Sequence, residues 1–217
     1  MKVRIDIPEN LSEITLAQYQ EWIKIADDKE LDTFLQQKMV EIFCKITLRQ
    51  VSVLKVSEIP KIINELSNSF SEEPKFIDRF KHNGQEFGFI PKLDDMTFGE
   101  FVDLDNYLND WQLMHKAMSV LFRPVTFEKN GEYLIEKYET ADKHNLKEMP
   151  LDVVFGAVVF FWSLRNELQK SIMNYLTTQN QVIIPQEIKD LIKNGDGIAQ
   201  FMDLQKETFF NLKTSLN

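Results

Sequence analysis

The chain has 217 residues, of which 43% are hydrophobic and 27% are charged, and its formal net charge is −9. This balance excludes a disordered chain, and the length is sufficient for a sizeable core. The acidic charge argues against non-specific binding to nucleic-acid phosphates. The 17 Phe residues indicate either a bulky aromatic core, which is the commoner use of this side chain, or an adhesive surface.

The first third of the chain predicts one short strand followed by helices. Val3, Ile5 and Ile7 alternate with polar residues, which predicts a strand that ends at Pro8. Apolar residues then recur at helical spacing. The predicted helices run from Thr15 to about Ala26, from Leu31 to Leu48 and from about Ser57 to Leu66.

Two of the predicted helices begin with the same motif. The residues are Ile14, Thr15, Gln18 and Tyr19 at the first start and Met96, Thr97, Glu100 and Phe101 at the second. In each, the Thr can cap the helix while the Gln or Glu reaches back to the Thr backbone N–H, which is a capping box. The apolar residue before the Thr and the aromatic residue after the box predict a hydrophobic staple.

The middle of the chain predicts two β-hairpins around one long helix. Asn83-Gly84 and Asn130-Gly131 predict type I′ turns, because both turn positions need positive φ. The helix is expected to run from Thr97 to Arg123-Pro124. Its predicted apolar stripe is Phe98, Phe101, Leu104, Leu108, Trp111, Met118 and Phe122. Its predicted outer face is Glu100, Asp103, Asn106, Asn109, Asp110, Gln112 and Lys116.

The last third of the chain predicts further helices. A long helix is expected from Met149-Pro150 to about Leu176, and its apolar first half, Val153 to Trp162, indicates central burial. A strand is the alternative for Val153 to Trp162. This apolar segment is too short for a membrane span, which needs about 20 residues. Shorter helices are predicted from Pro185 to Lys193 and after the turn at residues 194–197.

These elements predict a mainly α fold: a multi-helix bundle with a short N-terminal strand and two small β-hairpins at its edge. We expect a single composite domain of residues 1–217. The alternative division is an N-terminal helical subdomain of residues 1–72 and a main helical and hairpin part of residues 73–217.

Several groups of residues suggest chemistry, but each has a simpler structural interpretation. Acidic residues near a helix start suit the helix dipole better than a metal ion, and no histidine has a second ligand at zinc spacing. A thiol on an apolar helix face is expected to be buried and inert. The candidates are Asp94, Asp95, Glu100, Asp103, Asp105 and Asp110, then His82, His115 and His144, then Cys44, and the glycine-rich turn Asn194 to Gly197. No catalytic, cofactor-binding or metal-ligating residue is assigned, and no enzymatic activity is expected.

Four segments resemble small morphogenesis proteins of tailed bacteriophages, especially phages of Bacteroidetes-type hosts. The segments are Ile14 to Tyr19, Phe87 to Pro91, His115 to Pro124 and Met149 to Ala157. The resemblance covers roughly residues 1 to 168. It has no catalytic or binding motif to transfer, and it implies either a tail-assembly chaperone or a small ring or connector subunit of the virion.

The resemblance favours a non-enzymatic tail-assembly or morphogenesis factor that acts like a chaperone, with a virion ring or connector subunit as the alternative. The implied partners are phage structural proteins, such as tail, hub, tape-measure or connector components, and the chain itself in a homo-oligomer. No direct contact with nucleic acid or a membrane is expected. The implied location is the host cytoplasm during assembly, or the virion.

Overall fold

The computed structural model describes residues 4–26, 31–71, 73–161 and 163, and it shows a mixed α and β fold. The helices are α1 (Leu16–Ala26), α2 (Thr33–Phe43), α3 (Leu48–Val51), α4 (Ile59–Ser69), α5 (Phe98–Leu108), α6 (Met114–Leu121) and α7 (residues 151–161). The strands are β1 (Arg79–His82), β2 (Gln85–Phe89), β3 (Phe122–Lys129) and β4 (Glu132–Ile135).

The predicted helical bundle with two separate hairpins is wrong, because the hairpins join into one antiparallel sheet. The strand order is β1-β2-β3-β4, and Phe89 of β2 pairs with Phe122 of β3. Sequence analysis placed Phe122 on a helix stripe, but its ring lies in the sheet against Phe80 and Phe89. The predicted N-terminal strand is also wrong, since residues 4–8 are not in a strand.

Both predicted Asn-Gly turns are confirmed. The φ angles are 50° at Asn83 and 79° at Gly84, and they are 54° at Asn130 and 84° at Gly131. Each turn connects two antiparallel strands, as the type I′ signature requires. The sequence therefore identified both hairpins locally but missed the pairing between them, which depends on contacts far apart in the chain.

The helices depart from prediction mainly at their ends. The helix expected from Thr97 to Pro124 is divided into α5 and α6, with turns at residues 109–113. The second predicted helix ends at Phe43, and Thr47 then begins α3 with a capping box that was not predicted. The helical prediction after Pro150 is confirmed over α7, whose residues 153–158 are buried, and the strand alternative is wrong. The remaining predicted helices, and the turn at residues 194–197, lie outside the described residues.

One hydrophobic core extends from Leu11 to Val158 and contains residues of the helices and of the sheet. At Gly156 of α7 a Cβ atom would lie 2.1 Å from the carbonyl oxygen of Lys75, so the approach of that backbone requires glycine. Within the described part of the chain, no helix has both the length and the apolar character needed to cross a bilayer.

Candidate functional site

The N-terminal capping box, formed by Thr15 and Gln18, is confirmed and ties α1 to α2. The Thr15 N–H donates to Gln18 Oε1 at 3.0 Å, and the Gln18 N–H donates to the Thr15 hydroxyl at 3.4 Å. Gln18 Nε2 also donates to the carbonyl oxygen of Ile42 at 2.6 Å, at the end of α2. The expected staple residues Ile14 and Tyr19 are both buried.

The central capping box, formed by Thr97 and Glu100, is also confirmed and ties α5 to the sheet. Glu100 Oε2 accepts from the Thr97 N–H at 2.6 Å and from its hydroxyl at 2.7 Å. Glu100 Oε1 pairs with Arg123 Nη2 at 2.7 Å. Only 4% of Glu100 and 7% of Arg123 are exposed, so this ion pair is buried. The prediction that Glu100 faces outward is wrong.

Arg123 is the centre of a polar network beneath α5. Its guanidinium carbon lies 5.7 Å from the centre of the Tyr138 ring, and the Tyr138 hydroxyl donates to Asp103 on α5. Burial and the neighbouring Asp103 raise the pKa of Tyr138. Arg123 Nε has no hydrogen-bond partner among the described residues. Two acids of the predicted cluster, Glu100 and Asp103, are thus structural partners of basic or hydroxyl groups.

The three histidines make different polar contacts, although His82 and His144 both lie against the ring of Phe87. His115 Nδ1 is 3.3 Å from Gln20 Nε2, where α6 meets α1, and its pKa is lowered mainly by burial. His144 pairs with Glu136 at 2.7 Å, and His82 lies in β1 beside the Asn83 turn. Across residues 4–26, 31–71, 73–161 and 163, no three His, Cys, Asp or Glu residues are grouped to hold a metal ion.

Cys44 has the buried position predicted for it. Burial and the charge of Glu65 raise the pKa of the Cys44 thiol to about 11. A thiol with a raised pKa carries little thiolate near neutral pH and is therefore a poor nucleophile.

The outer side of α5 carries the two most exposed aromatic side chains among the described helices. Phe98 is 82% exposed and Phe101 is 54% exposed, and Val102 beside them is also exposed. These three residues are called the α5 patch. The prediction that Phe98 and Phe101 lie on the buried stripe is wrong, because Glu100 and Leu104 occupy the inner side instead.

A second exposed apolar pair lies on the β3–β4 hairpin. Phe127 and Leu134 are direct cross-strand partners and are 54% and 60% exposed. They are called the hairpin patch. Both patches are surface features that the sequence pattern did not distinguish from core positions. Helical spacing alone does not decide between the two sides of α5, because Leu104 lies one turn from both Glu100 and Phe101.

The described residues thus combine a buried hydrophobic core with exposed apolar side chains, among them the α5 patch and the hairpin patch. No protein-family model matches the chain, and no curated protein or solved structure is significantly similar to it.

Proposed function

We propose that the protein is a non-enzymatic bacteriophage tail-assembly or morphogenesis factor that acts like a chaperone through protein–protein contacts. The phage assignment rests on the resemblance of the four segments between Ile14 and Ala157. The observation that supports action through contacts is the α5 patch, because exposed apolar clusters on a folded chain commonly mark binding surfaces.

The packing of α5 indicates that the α5 patch is exposed in the correctly folded protein, where it is free to bind a partner. On α5, Leu104 is buried and Glu100 is paired with Arg123 inside the protein, so the helix is attached by a specific side. The apolar residues on its other side are therefore exposed on a helix that is already packed against the protein. A chaperone for a phage structural protein, such as a tail, hub or tape-measure component, requires a surface of this kind.

A virion ring or connector subunit is the second candidate, and the hairpin patch favours it. A ring needs a heterologous interface, in which one surface of a subunit meets a different surface of the next subunit. The chain offers two different apolar surfaces, Phe98 with Phe101 on a helix and Phe127 with Leu134 on a hairpin. A homo-oligomer built from these two surfaces would satisfy that requirement.

Mass spectrometry of purified virions separates the two candidates. A chaperone leaves before the virion is complete, so we expect the chain in infected-cell lysate and only traces of it in virions. Stoichiometric copies in virions would contradict the chaperone role and support the connector. Light scattering on the purified protein provides a second test, because a closed ring would have several times the mass of one chain.

A further inference from the structure

The α5 patch lies on a helix whose other side is fixed inside the protein. Glu100 and Leu104 are one turn apart on the inner side, while Phe98, Phe101 and Val102 recur at positions i, i+3 and i+4 on the outer side. A ridge with this spacing is the kind of surface on which an amphipathic helix packs.

The segment that carries the patch has mostly negative charges, and Lys92 is its exposed basic residue. From Lys92 to Asp110 the chain has six acidic residues and one basic residue. Glu100 and Asp103 are engaged with Arg123 and Tyr138 on the inner side. Asp95 and Asp105 are exposed, one before the patch and one after it. The surface is therefore an apolar ridge with carboxylates at both ends.

These charges favour some binding partners of the α5 patch over others. A second copy docked by the same surface would bring Asp95 and Asp105 close to identical carboxylates, and like charges in an interface oppose association. A partner with Lys or Arg beside its apolar residues would instead gain from them. The hairpin patch lacks this bias, because Glu128 and Lys129 are neighbours near its tip.

We propose that the α5 patch binds an amphipathic helical segment of a partner protein, whose apolar side is flanked by Lys or Arg residues. This inference deepens the proposed function, on which it rests, by naming the surface and the chemistry of the client segment. Phe98 and Phe101 supply the apolar contact, while Asp95 and Asp105 select for positive charge near the two ends of the segment.

The test measures binding of two labelled synthetic amphipathic peptides to the full chain by fluorescence anisotropy. Both peptides have the same leucine side, and their polar positions are Lys in one and Glu in the other. We expect the Lys peptide to bind at least about tenfold tighter, a difference of about 1.4 kcal/mol. F98Q/F101Q should weaken it by about tenfold or more, while F127Q/L134Q should leave it unchanged.

A charge-matched pair of variants separates local from overall attraction, since a chain of charge −9 attracts any basic peptide. D95N/D105N and E132Q/E148Q remove the same charge, and the second pair alters exposed acids away from the patch. We expect only D95N/D105N to reduce affinity by several-fold. Equal losses from both pairs, or unchanged binding by F98Q/F101Q, would overturn the proposal.

Photo-crosslinking from position 98 identifies the occupant in infected cells. A crosslink to a basic amphipathic segment of another phage protein supports the proposal. A crosslink within the same chain or to a second copy overturns it. Failure of the peptide test while the chain is still absent from virions would reject this surface and leave the chaperone role intact, so the two conclusions can fail separately.

Discussion

The two predicted capping boxes have the same spacing but different residues at their third helical position, and the structure gives the reason. At the N-terminal box, Gln18 must accept from the Thr15 N–H and donate to the carbonyl oxygen of Ile42. At the central box, Glu100 must accept from Thr97 with one oxygen and from Arg123 with the other. An amide provides one acceptor oxygen and one donor nitrogen, whereas a carboxylate provides two acceptor oxygens. Each box thus has the side chain that its second partner requires.

The boxes also differ in what surrounds them. The N–H groups of Leu16 and Ala17, at the start of α1, donate to the carbonyl oxygens of Met149 and Lys147 at 3.0 and 2.7 Å. This start is enclosed by the chain before α7, whereas the start of α5 carries Phe98 at the surface. A common local motif therefore produces a buried helix start in one place and a displayed one in the other.

Replacing the central carboxylate should have the largest effect. E100Q keeps one acceptor but cannot serve both Thr97 and Arg123, and it leaves a buried guanidinium without its counter-charge. Losing one partner of a buried ion pair costs about 3–5 kcal/mol, and we expect the free energy of unfolding in urea to fall by that order.

The double variant E100Q/R123M is the control for this prediction. It removes both charges, so it should recover much of the stability lost by E100Q alone. Additive losses in the double-mutant cycle would show that Glu100 and Arg123 are not coupled.

The reciprocal change at the N-terminal box should cost somewhat less. Q18E keeps the bond from the Thr15 N–H but places a second acceptor against the carbonyl oxygen of Ile42. It also adds negative charge at the C-terminal end of α2, where the helix dipole opposes it. We expect a loss of about 2–3 kcal/mol in urea unfolding. A loss no greater than that of the exposed control E21Q would contradict the contact with α2.

Removing the capping hydroxyls should have a smaller effect that differs between the boxes. The Thr97 hydroxyl donates to Glu100 Oε2 and also accepts from the Glu100 N–H, whereas the Thr15 hydroxyl accepts one bond at 3.4 Å. We expect T97A to cost about 1–1.5 kcal/mol and T15A about 0.5–1 kcal/mol. Thermal or urea unfolding measures both losses, and a greater loss of stability for T15A than for T97A would contradict this prediction.

The stability of the protein should also depend on pH through His115, which lies where α6 meets α1. Burial first, and then the positive charges of Lys147 and Lys116, hold the pKa of His115 below its ordinary value of 6.5. The folded state therefore binds fewer protons than the unfolded state, and stability falls as the pH falls through 6.5 and below. Urea midpoints between about pH 8 and pH 5 should decrease, and H115Q should reduce that decrease.

Sequence reasoning recovered the features that depend on neighbouring residues. Both Asn-Gly turns, both capping boxes, the buried position of Cys44 and the apolar helix after Pro150 follow from local chemistry. It failed where distant residues decide the outcome. The pairing of Phe89 with Phe122 joins two hairpins across two helices, and the helical spacing that assigned Phe122 to the preceding helix does not reveal it.

The candidate site was missed for a related reason. Binary patterning treats Glu100 as outward and Phe98 as inward, and the ion pair with Arg123 reverses that assignment. Arg123 lies in β3, far from Glu100 in the sequence. The sequence of α5 alone therefore does not indicate that Glu100 has a buried basic partner.

Stability and binding measured together in F98Q/F101Q show whether the outer side of α5 is a binding surface. If α5 is attached by its inner side and displays its outer side, the double variant should unfold within about 0.5 kcal/mol of the parent chain, as exposed substitutions usually do. It should also lose about tenfold or more in affinity for the Lys peptide. Destabilisation by several kcal/mol would show that the two rings belong to the core, and unchanged affinity would show that the α5 patch is not the binding surface.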